Sequence, residues 1–299
     1  MNVGLVAIGR NEGQRLRACL ESGRAQDLAL VYVDSNSTDD SVALAKSLGA
    51  EVIELDLSVP FTAARARNEG AARLLQMCPT IEFIQFVDGD CELRADWIAK
   101  ALSKFGAKPR AAIVCGRRRE RFPEASAYNA IANMEWDTPV GKSLSSGGDA
   151  LIRRTAFEEV GGYNPAVIAG EEPEMCVRLR HLGWEIWRID AEMTLHDAAI
   201  TRFGQWWKRT IRGGHAYAEG FHRHGAPPEL FNRREVISNY VWAIAWPLWP
   251  LLWFKIYRSS QSARYATFTT LAKWPMALGQ LKFHWHRLRG KKSQIIEYK

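Results

Sequence analysis

Short apolar runs alternate with amphipathic stretches through the first half of the chain. The apolar runs predict five strands, with the sequences VGLVAI, LALVYV, AEVIEL, IEFIQFV and AAIVCG. Stretches with helical spacing between these runs predict four helices, near residues 12–22, 37–49, 62–77 and 96–105. Regular alternation of strands and helices indicates a mostly parallel sheet covered by helices on both faces. We therefore predict an α/β fold for this half of the chain.

The second half has a less regular pattern. The segment SSGGDALIRR predicts a strand after a glycine-rich turn, and GEEPEMCVRLRHLGWEIWRI predicts a helix followed by a strand. Pro173 suits the first position of that helix, and Gly183 suits its end. From about residue 225 the composition changes to tryptophan, proline and basic residues. We predict a boundary there, with one domain in residues 1–225 and a helical C-terminal region in residues 226–299.

Acidic residues stand at the ends of two predicted strands. Asp34 ends the second strand, and Asp88 and Asp90 follow the fourth strand in the segment FVDGDCEL. The carboxyl ends of parallel strands meet at one edge of a sheet, where such folds bind ligands. Mg²⁺ and Mn²⁺ bind one or two carboxylates together with phosphate oxygens. The D-x-D pattern therefore fits a metal site for a phosphate-bearing ligand, while an Asx turn and a phosphohydrolase stay open from this motif alone.

Charge is distributed unevenly along the chain. The 299 residues carry a formal charge of +7, and residues 255–299 contain ten Lys or Arg and one acid. The remainder is close to neutral. The basic tail could touch nucleic acid, but it lacks a recognisable binding module, so we expect no nucleic-acid partner. The five cysteines are scattered and form no C-x-x-C pair. This argues against a disulfide framework or a zinc cluster and fits a reducing cytoplasm.

Six segments, in this order along the chain, resemble glycosyltransferase family 2: VYVDSNSTDDS, FTAARARNEGAARL, FVDGDCEL, GGDALIRR, VGGYNPAVIAGEEPEMCVRLRHLGW and LHDAA. The resemblance extends from about residue 3 to about residue 220. It implies the GT-A fold, a Rossmann-like, mostly parallel mixed sheet covered by helices. It also implies an enzyme that moves a sugar from a nucleotide diphosphate sugar, UDP- or GDP-linked, to an acceptor hydroxyl.

The resemblance implies a donor site with six residues: Asn11, Glu12, Asp34, Arg65, Arg67 and Asp88. In the family pattern Asp34 contacts the nucleobase, and Asn11 and Glu12 line the same pocket. Arg67, with Arg65 as a helper, neutralises the diphosphate or orients the acids at the strand ends. Asp88 binds the ribose or the metal. A solvent-exposed helix face is the alternative for the two arginines.

The resemblance also implies a metal site and a catalytic base. Asp90, with Asp88 and His196, would bind a divalent cation, Mn²⁺ or Mg²⁺, that bridges the two phosphates. Glu172 falls on the position of the general base. The family usually has Asp there, so Glu171 is an alternative base, and a simple helix-capping acid is the alternative to both. Because Glu172 lies at a predicted helix start, we expect the helix dipole to favour its ionised form.

Acceptor contacts are predicted at six positions: Trp136, Asp149, Gln205, Trp206, Trp207 and Arg209. The segment GQWWKRTIRGG is similar to the Q-x-x-R-W signature of processive polysaccharide synthases. Here, however, three residues separate Gln205 from Arg209, and the tryptophans precede the arginine. Processivity therefore stays open. Packing beneath the active site is the alternative for Trp206 and Trp207.

An uncharged, aromatic segment precedes the basic tail. Residues 236–254 are nineteen residues without charge, close to the length that spans a bilayer, but they include Pro247 and Pro250. Trp and Tyr favour the membrane interface, and the bases that follow favour anionic cytoplasmic lipid. We predict interfacial or re-entrant attachment to an anionic membrane surface. A membrane span, a homodimer contact and a helical cap on the first domain are the alternatives.

The sequence as a whole predicts an inverting, metal-dependent glycosyltransferase. It would act at the cytoplasmic side of the inner membrane, as a peripheral protein, on a lipid-linked saccharide or glycolipid. Two other classes compete: a phosphohydrolase that uses the D-x-D carboxylates, and a non-catalytic membrane scaffold with a transferase-like fold. Neither explains why Asp34, Arg67, Asp90 and Glu172 occur together.

Overall fold

A computed structural model of the chain describes residues 2–56 and 58–290. The chain divides into two compact units. The first comprises Met1–Arg121, Trp136–Ala166 and Glu171–Ala198, and the second comprises Phe122–Glu135, Val167–Gly170 and Ala199–Lys299. The longest segment of the second unit therefore begins at Ala199. The change in composition had indicated a boundary later in the chain, near residue 225. The last nine residues, which belong to the predicted basic tail, lie outside the described residues.

The described residues form nine strands and twelve α-helices. The strands are β1 (Val3–Gly9), β2 (Ala29–Asp34), β3 (Glu51–Glu54), β4 (Phe83–Asp88), β5 (Cys91–Leu93), β6 (Ala111–Glu120), β7 (Gly141–Ser143), β8 (Ala150–Arg153) and β9 (Glu185–His196). The helices are α1 (Gln14–Arg24), α2 (Ser41–Ser47), α3 (Ala63–Met77), α4 (Trp97–Ala107), α5 (Ala127–Glu135), α6 (Arg154–Glu159), α7 (Glu171–His181), α8 (Phe203–His224), α9 (Arg233–Ile244), α10 (Trp249–Ser260), α11 (Ala263–Leu271) and α12 (Lys273–Leu288).

All nine strands belong to one mixed sheet in the first unit. The strand order is β3-β2-β1-β4-β8-β6-β9-β5, and β7 pairs with β9. Strands β1 to β4 are parallel, β8 is antiparallel to both of its neighbours, and β6 and β9 are parallel. The central strands are apolar on both faces because helices cover the sheet on both sides, as parallel strands require. The predicted α/β fold with a mostly parallel mixed sheet is confirmed.

Helix α3 lies directly against the sheet. A Cβ atom at Gly70 would collide with the side chain of Val6 in β1, so only glycine permits this close approach. The side chain of Thr62 caps the helix by accepting a hydrogen bond from the backbone of Arg65 at 3.1 Å. Asn68 exchanges two hydrogen bonds with the backbone of Tyr163, at 2.7 and 2.9 Å. These contacts hold the middle of α3 in a fixed position against the loop that follows α6.

The sequence prediction differs from the structure in three local features. The short strand β5 occupies part of the acidic segment, where no strand was predicted. Strand β6 continues four residues beyond the apolar run AAIVCG because it pairs with β9 as far as Glu120 and His196. Helix α7 begins at Glu171, so Pro173 is its third residue rather than its first. A proline there removes no helical hydrogen bond, since amides of the first turn have no partner within the helix.

The second unit is helical. Helices α8 and α12 pack with their backbones in contact, because a Cβ atom at Gly214 would collide with Met276 and one at Gly279 with Ile211. The uncharged run of residues 236–254 is divided between α9 and α10 by a short 3₁₀ turn at Trp246–Leu248. Among the described residues, no helix combines the length and the apolar character needed to cross a membrane.

Candidate active site

The parallel strands bring their terminal acids to one edge of the sheet. Strand β1 lies between β2 and β4, and its last residues pair with Asp34 on one side and with Asp88 on the other. Asp34 and Asp88 are therefore separated only by the end of β1, at Ile8 and Gly9. This arrangement is the one that the strand pattern predicted.

The Asp34 side chain is ordered by its neighbours. It is 2% exposed and accepts hydrogen bonds from the backbone of Ser37 at 2.7 Å, from the Ser37 hydroxyl at 2.5 Å and from the Tyr32 hydroxyl at 3.0 Å. Asn11, in the left-handed region at φ 57°, accepts a hydrogen bond from the backbone of Thr38 at 2.7 Å. The ends of β1 and β2 are thus joined by hydrogen bonds into one polar cluster that includes the predicted residues Asp34 and Asn11.

Glu12 lies between this polar cluster and the D-x-D loop. Its carboxylate forms an ion pair with Arg15 at 2.9 Å. A Cβ atom at Gly89 would stand 3.1 Å from the Cγ atom of Glu12 and 3.3 Å from the carbonyl oxygen of Ile8. The glycine between the two aspartates therefore allows the D-x-D loop to lie closely against the end of β1.

Arg67 joins the strand-end acid to the acidic pair of α7. Its Nη2 donates to Asp88 Oδ1 at 2.9 Å, and its Nη1 contacts Glu171 Oε1 at 2.7 Å and Glu172 Oε1 at 3.0 Å. The guanidinium is 2% exposed and lies 5.6 Å from the centre of the Tyr163 ring. Residues distant in the sequence thus meet at one buried cation.

Arg118 is a second arginine at this site, and its side chain is half-buried. Its Nε donates to Asp149 Oδ2 at 2.8 Å, and its Nη2 lies 2.6 Å from Asp149 Oδ1 and 3.3 Å from Asp88 Oδ2. Asp149 also accepts hydrogen bonds from the Thr194 hydroxyl at 2.6 Å and from the backbone of Asp88 at 3.3 Å. The sequence analysis identified Asp149 but missed Arg118 and Thr194. The signal available was the run RRRE, whose length suited a continuation of β6.

The charges of Arg67 and Arg118 act on Asp88. Loss of solvent opposes ionisation of this carboxyl, yet the two guanidinium groups hold the pKa of Asp88 below its usual range. Four carboxyl groups nevertheless contact the two guanidinium groups; they belong to Asp88, Asp149, Glu171 and Glu172. The Asp90 carboxylate adds a further negative charge that acts on Asp88. The site therefore carries an excess of negative charge, which a bound cation relieves.

Asp90 and His196 meet beside these acids. His196 Nε2 lies 3.2 Å from Asp90 Oδ1, and both side chains are buried. Asp90, Cys91 and His196 offer ligand atoms within 4.8 Å of one another, as do Asp88, Cys91 and Asp149. Burial, reinforced by Asp149, raises the pKa of the Cys91 thiol. Thiolate ligands suit softer metal ions, whereas carboxylate oxygens suit Mg²⁺ and Mn²⁺. The remaining oxygen and imidazole donors fit Mn²⁺ or Mg²⁺.

The pKa of Glu172 differs from the one that its position at a helix start predicted. We expected the start of α7 to favour the charged carboxylate. Burial and the adjacent Glu171 carboxylate outweigh that effect and the attraction of Arg67, and they raise the pKa of Glu172 to about 7. A carboxylate with this pKa is poised to exchange a proton near neutral pH.

Gly148 leaves room above the two arginines. A Cβ atom at this position would stand 2.6 Å from Arg67 Nη2, 3.1 Å from Glu172 Oε1 and 3.4 Å from Arg118 Nη2. The backbone of the GGD segment thus passes directly over the charged groups. Any larger residue would displace at least one of them.

Trp136 borders the same cluster. Its ring meets the His196 ring edge-on at 4.6 Å between centres and lies 5.5 Å from the Arg118 guanidinium. Asp137, the next residue, lies 3.6 Å from both Arg117 and Arg188. The indole is therefore held near the predicted metal ligand by the ion pairs of its neighbour.

Five predicted site residues have contacts elsewhere. Arg65 donates to Glu69 at 2.6 Å and to the carbonyl oxygens of Asp56 and Val59, both at 2.8 Å. The others belong to α8 in the second unit and are described within that unit. Gln205 accepts hydrogen bonds from the backbone of Thr201 and Arg202 at the start of the helix. Arg209 forms an ion pair with Glu135 at 3.0 Å. Trp206 packs on Tyr128 and Phe268, and Trp207 packs on Phe203.

Comparison with known proteins identifies the class to which the chain belongs, that of the glycosyltransferases. Residues 6–161 match the family described as glycosyl transferase family 2, which is more than half of the chain. The chain therefore belongs to glycosyl transferase family 2, and the resemblance recognised in the sequence is confirmed.

Two relatives of known role are similar over much of the chain. The O-antigen chain rhamnosyltransferase RfbN of Salmonella typhimurium is 24% identical over 62% of this chain and 63% of its own length. The succinoglycan biosynthesis protein ExoA of Rhizobium meliloti is 23% identical over 74% of this chain and 70% of its own length. The match thus spans less than two thirds of the rhamnosyltransferase.

A solved structure has a similar fold. The mannosyltransferase PcManGT from Pyrobaculum calidifontis, in complex with GDP-Man and Mn²⁺, is 17% identical with a TM-score of 0.64. The similarity covers 96% of this chain and 88% of that one. The GT-A fold expected from the resemblance is confirmed.

Proposed function

We propose that the protein is a metal-dependent, inverting glycosyltransferase that uses a UDP- or GDP-sugar. One observation carries this proposal: buried Arg67 contacts both Asp88 at the end of β4 and the Glu171–Glu172 pair at the start of α7. A donor diphosphate and an acceptor hydroxyl need these two kinds of group side by side. Family membership supports the reaction class.

The nucleoside part of the donor would bind at the polar cluster around Asp34. A carboxylate that already accepts three hydrogen bonds is rigid and can receive one more donor from a base without losing its position. Asn11 is part of the same cluster, and Glu12 lies beside it. Asp88 would bind the ribose or the metal, and Arg67 would counter the negative charge of the diphosphate.

The divalent cation would be held by Asp90 and His196, with Asp88 beside them. When bound, it supplies charge that stabilises the departing nucleoside diphosphate. A mannosyltransferase of the same fold has been solved with GDP-Man and Mn²⁺, which supports a site for Mn²⁺ or Mg²⁺ here. Trp136 packs against the His196 ring and would keep the imidazole in place.

Glu172 would be the general base. The acceptor hydroxyl loses its proton to the Glu172 carboxylate, and its oxygen forms a bond to the anomeric carbon. The bond from that carbon to the phosphate oxygen breaks, and the nucleoside diphosphate leaves with the electron pair. Attack opposite the leaving group inverts the anomeric centre. Glu171, 2.7 Å from Arg67 Nη1, is the alternative base.

The acceptor would be a lipid-linked saccharide or a glycolipid in polysaccharide biosynthesis. The similarity to an O-antigen rhamnosyltransferase and to a succinoglycan biosynthesis protein supports a glycan acceptor. Trp136 borders the charged cluster and is the predicted acceptor contact in the first unit that is not fully buried. Asp149 is 1% exposed and is paired with Arg118, so it would act on the acceptor only through that arginine. We propose that the protein works peripherally at the cytoplasmic side of the inner membrane, where such acceptors are assembled.

A donor screen tests this function. Thermal shift and calorimetry with nucleoside diphosphates and nucleotide sugars, with and without Mn²⁺, should identify a nucleotide whose affinity rises with the metal. NMR of the product formed on a saccharide acceptor should then show inverted anomeric configuration. Release of inorganic phosphate without an acceptor would instead indicate a phosphohydrolase. Absence of any nucleotide binding would indicate a scaffold.

A further inference from the structure

Helix α12 presents an apolar stripe to solvent. Trp274, Leu278, Leu281, Trp285 and Leu288 recur at spacings of four and three residues, and they are 41–84% exposed. The opposite face of α12, with Gly279, Gln280 and Phe283, is buried within the second unit. Residues with this spacing lie along one side of a helix. We refer to these five residues as the α12 stripe.

The stripe continues onto the neighbouring helices at Trp274. The Trp274 indole donates a hydrogen bond to the Ala243 carbonyl oxygen at 3.0 Å, and its ring lies 4.7 Å from that of Trp249. Trp274 therefore touches the end of α9 and the start of α10. The adjacent Ile244 is 80% exposed, and it ends a second stripe on α9 that begins with Ile237 and Val241. Exposed apolar side chains grouped on neighbouring helices are typical of an interaction site.

The surroundings of this apolar surface are basic. Residues 236–290 contain no Asp or Glu. Lys282 and Arg289 are exposed beside the stripe, and the Arg289 guanidinium lies over the Trp285 ring at 3.9 Å. Tryptophan and arginine side by side suit the headgroup region, because the indole enters the apolar boundary while the guanidinium meets phosphate.

A second copy of the chain fits this surface less well than lipid does. The spacing of the stripe is that of a coiled-coil seam, but two of its five positions are tryptophans and not the Leu, Ile or Val that favour knobs-into-holes packing. A self-paired α12 would also bring Lys282 and Arg289 close to the same bases of its partner, with no acid in residues 236–290 to compensate. Anionic phospholipid is complementary to both properties.

We propose that the α12 stripe, with the adjoining ends of α9 and α10, is a surface that docks on an anionic phospholipid bilayer. A 16-residue helix with one face packed lies along such a surface, with its free face in the headgroup boundary. This inference deepens the proposed function, since a lipid-linked acceptor is presented at the same boundary. It does not depend on the transfer reaction itself.

Vesicle binding of the full chain tests the proposal. The protein should sediment with vesicles of phosphatidylglycerol and phosphatidylcholine, and much less with phosphatidylcholine alone. Lipids brominated near the headgroup end of the acyl chain should quench tryptophan fluorescence, and Trp285→Phe should reduce that quenching. Equal binding to both vesicle types, or no quenching in a protein that sediments, would overturn docking through the stripe.

Paired substitutions test the apolar residues and the basic residues of the surface separately. Leu281→Glu combined with Leu288→Glu should weaken binding to anionic vesicles by more than about tenfold, because two apolar contacts become repulsive. Lys282→Glu combined with Arg289→Glu should reduce the preference for anionic lipid by at least about tenfold. Leu144→Glu is the matched control, since Leu144 is 73% exposed but belongs to the first unit, and its vesicle binding should equal that of the parent.

Two further measurements establish whether the variants are folded and whether the protein is a monomer. Circular dichroism should show that the variants are folded, and light scattering without lipid should give a monomer mass at micromolar concentration. A dimer that Leu281→Glu with Leu288→Glu dissociates would assign the stripe to a second copy and overturn the proposal. Nucleotide affinity with Mn²⁺ should be unchanged in every stripe variant. Failure of vesicle binding with intact nucleotide binding would therefore refute the docking surface and leave the transferase function standing.

Discussion

His196 Nε2 lies 3.2 Å from Asp90 Oδ1, although 105 positions separate the two residues in the chain. The sheet explains the proximity, because Cys91 and His196 are register partners in the antiparallel pair of β5 and β9. Asp197 then donates its backbone N–H to the Asp90 carbonyl oxygen at 3.1 Å. The carboxylate and the imidazole are therefore held by backbone pairing and not by flexible loops.

Asp90→Ala should remove the metal-dependent part of nucleoside diphosphate affinity, because the phosphates lose the cation that this carboxylate helps to hold. Calorimetry with and without Mn²⁺ measures the difference. Asp96→Ala, which removes an exposed carboxylate that pairs with Lys100, is the control and should retain the full metal effect. An unchanged metal effect in Asp90→Ala would show that the cation binds elsewhere.

Glu172→Gln should retain donor binding and lower kcat by about 10²–10⁴, the usual contribution of a positioned base. The amide keeps the size of the side chain but cannot take the acceptor proton. Glu171→Gln is the matched variant, because both acids contact the same nitrogen of Arg67. If Glu171→Gln lost more activity than Glu172→Gln, the base would be Glu171.

The dependence of kcat/KM on pH should show an acidic limb near pH 7. Burial and Glu171 raise the pKa of Glu172 to about 7, while Arg67 opposes the rise and Asp88 adds to it. Below this pH the carboxyl is protonated and cannot accept the acceptor proton; above it the carboxylate is available. Activity should therefore rise with pH through this range. Persistence of the same limb in Glu172→Gln would assign it to another group.

Arg118→Met should destabilise the fold by about 3–5 kcal/mol, because Asp149, 1% exposed, would keep a buried charge without its bidentate partner. Urea unfolding measures the change. Arg119→Met is the matched control: its ion pair with Glu192 lies on the surface, where such pairs contribute about 0–1 kcal/mol. Equal losses in the two variants would mean that Arg118 is not part of a buried network.

Local pattern was sufficient to predict much of the site. Strand ends follow from apolar runs, and parallel strands bring their carboxyl ends together, so Asp34 and Asp88 could be placed at one edge without a structure. The family resemblance added Arg67 and the acids of α7. Arg65 needed helical geometry: residues two apart on a helix point about 200° apart, so Arg65 and Arg67 cannot face the same ligand. The structure directs Arg65 to the carbonyl oxygens of Asp56 and Val59.

The role of Arg118 and the raised pKa of Glu172 could not be predicted from the sequence, because both depend on contacts between distant segments. Arg118 reaches Asp88 because β6 extends along β9 and has register irregularities next to Arg117. Neither the partner strand nor the bulge is visible in the run RRRE. The pKa of Glu172 likewise depends on burial by distant segments, which outweighs the helix-start effect that local reasoning can see. Such properties arise only when the sheet is assembled.

Gly148→Ala should impair the active site while leaving the fold intact. The added Cβ atom would stand 2.6 Å from Arg67 Nη2 and 3.1 Å from Glu172 Oε1, so at least one of these side chains must move. Because Arg67 also contacts Asp88, its displacement would disturb both the diphosphate site and the base. We expect kcat/KM to fall by about 10-fold or more, since small misplacements of catalytic groups have effects up to about 10². Gly147→Ala is the matched control: a Cβ atom there meets nothing within 4 Å, and that variant should keep parental kcat/KM and thermal stability. Equal activity of the two variants in steady-state assays would show that the backbone at Gly148 can shift without disturbing Arg67 and Glu172.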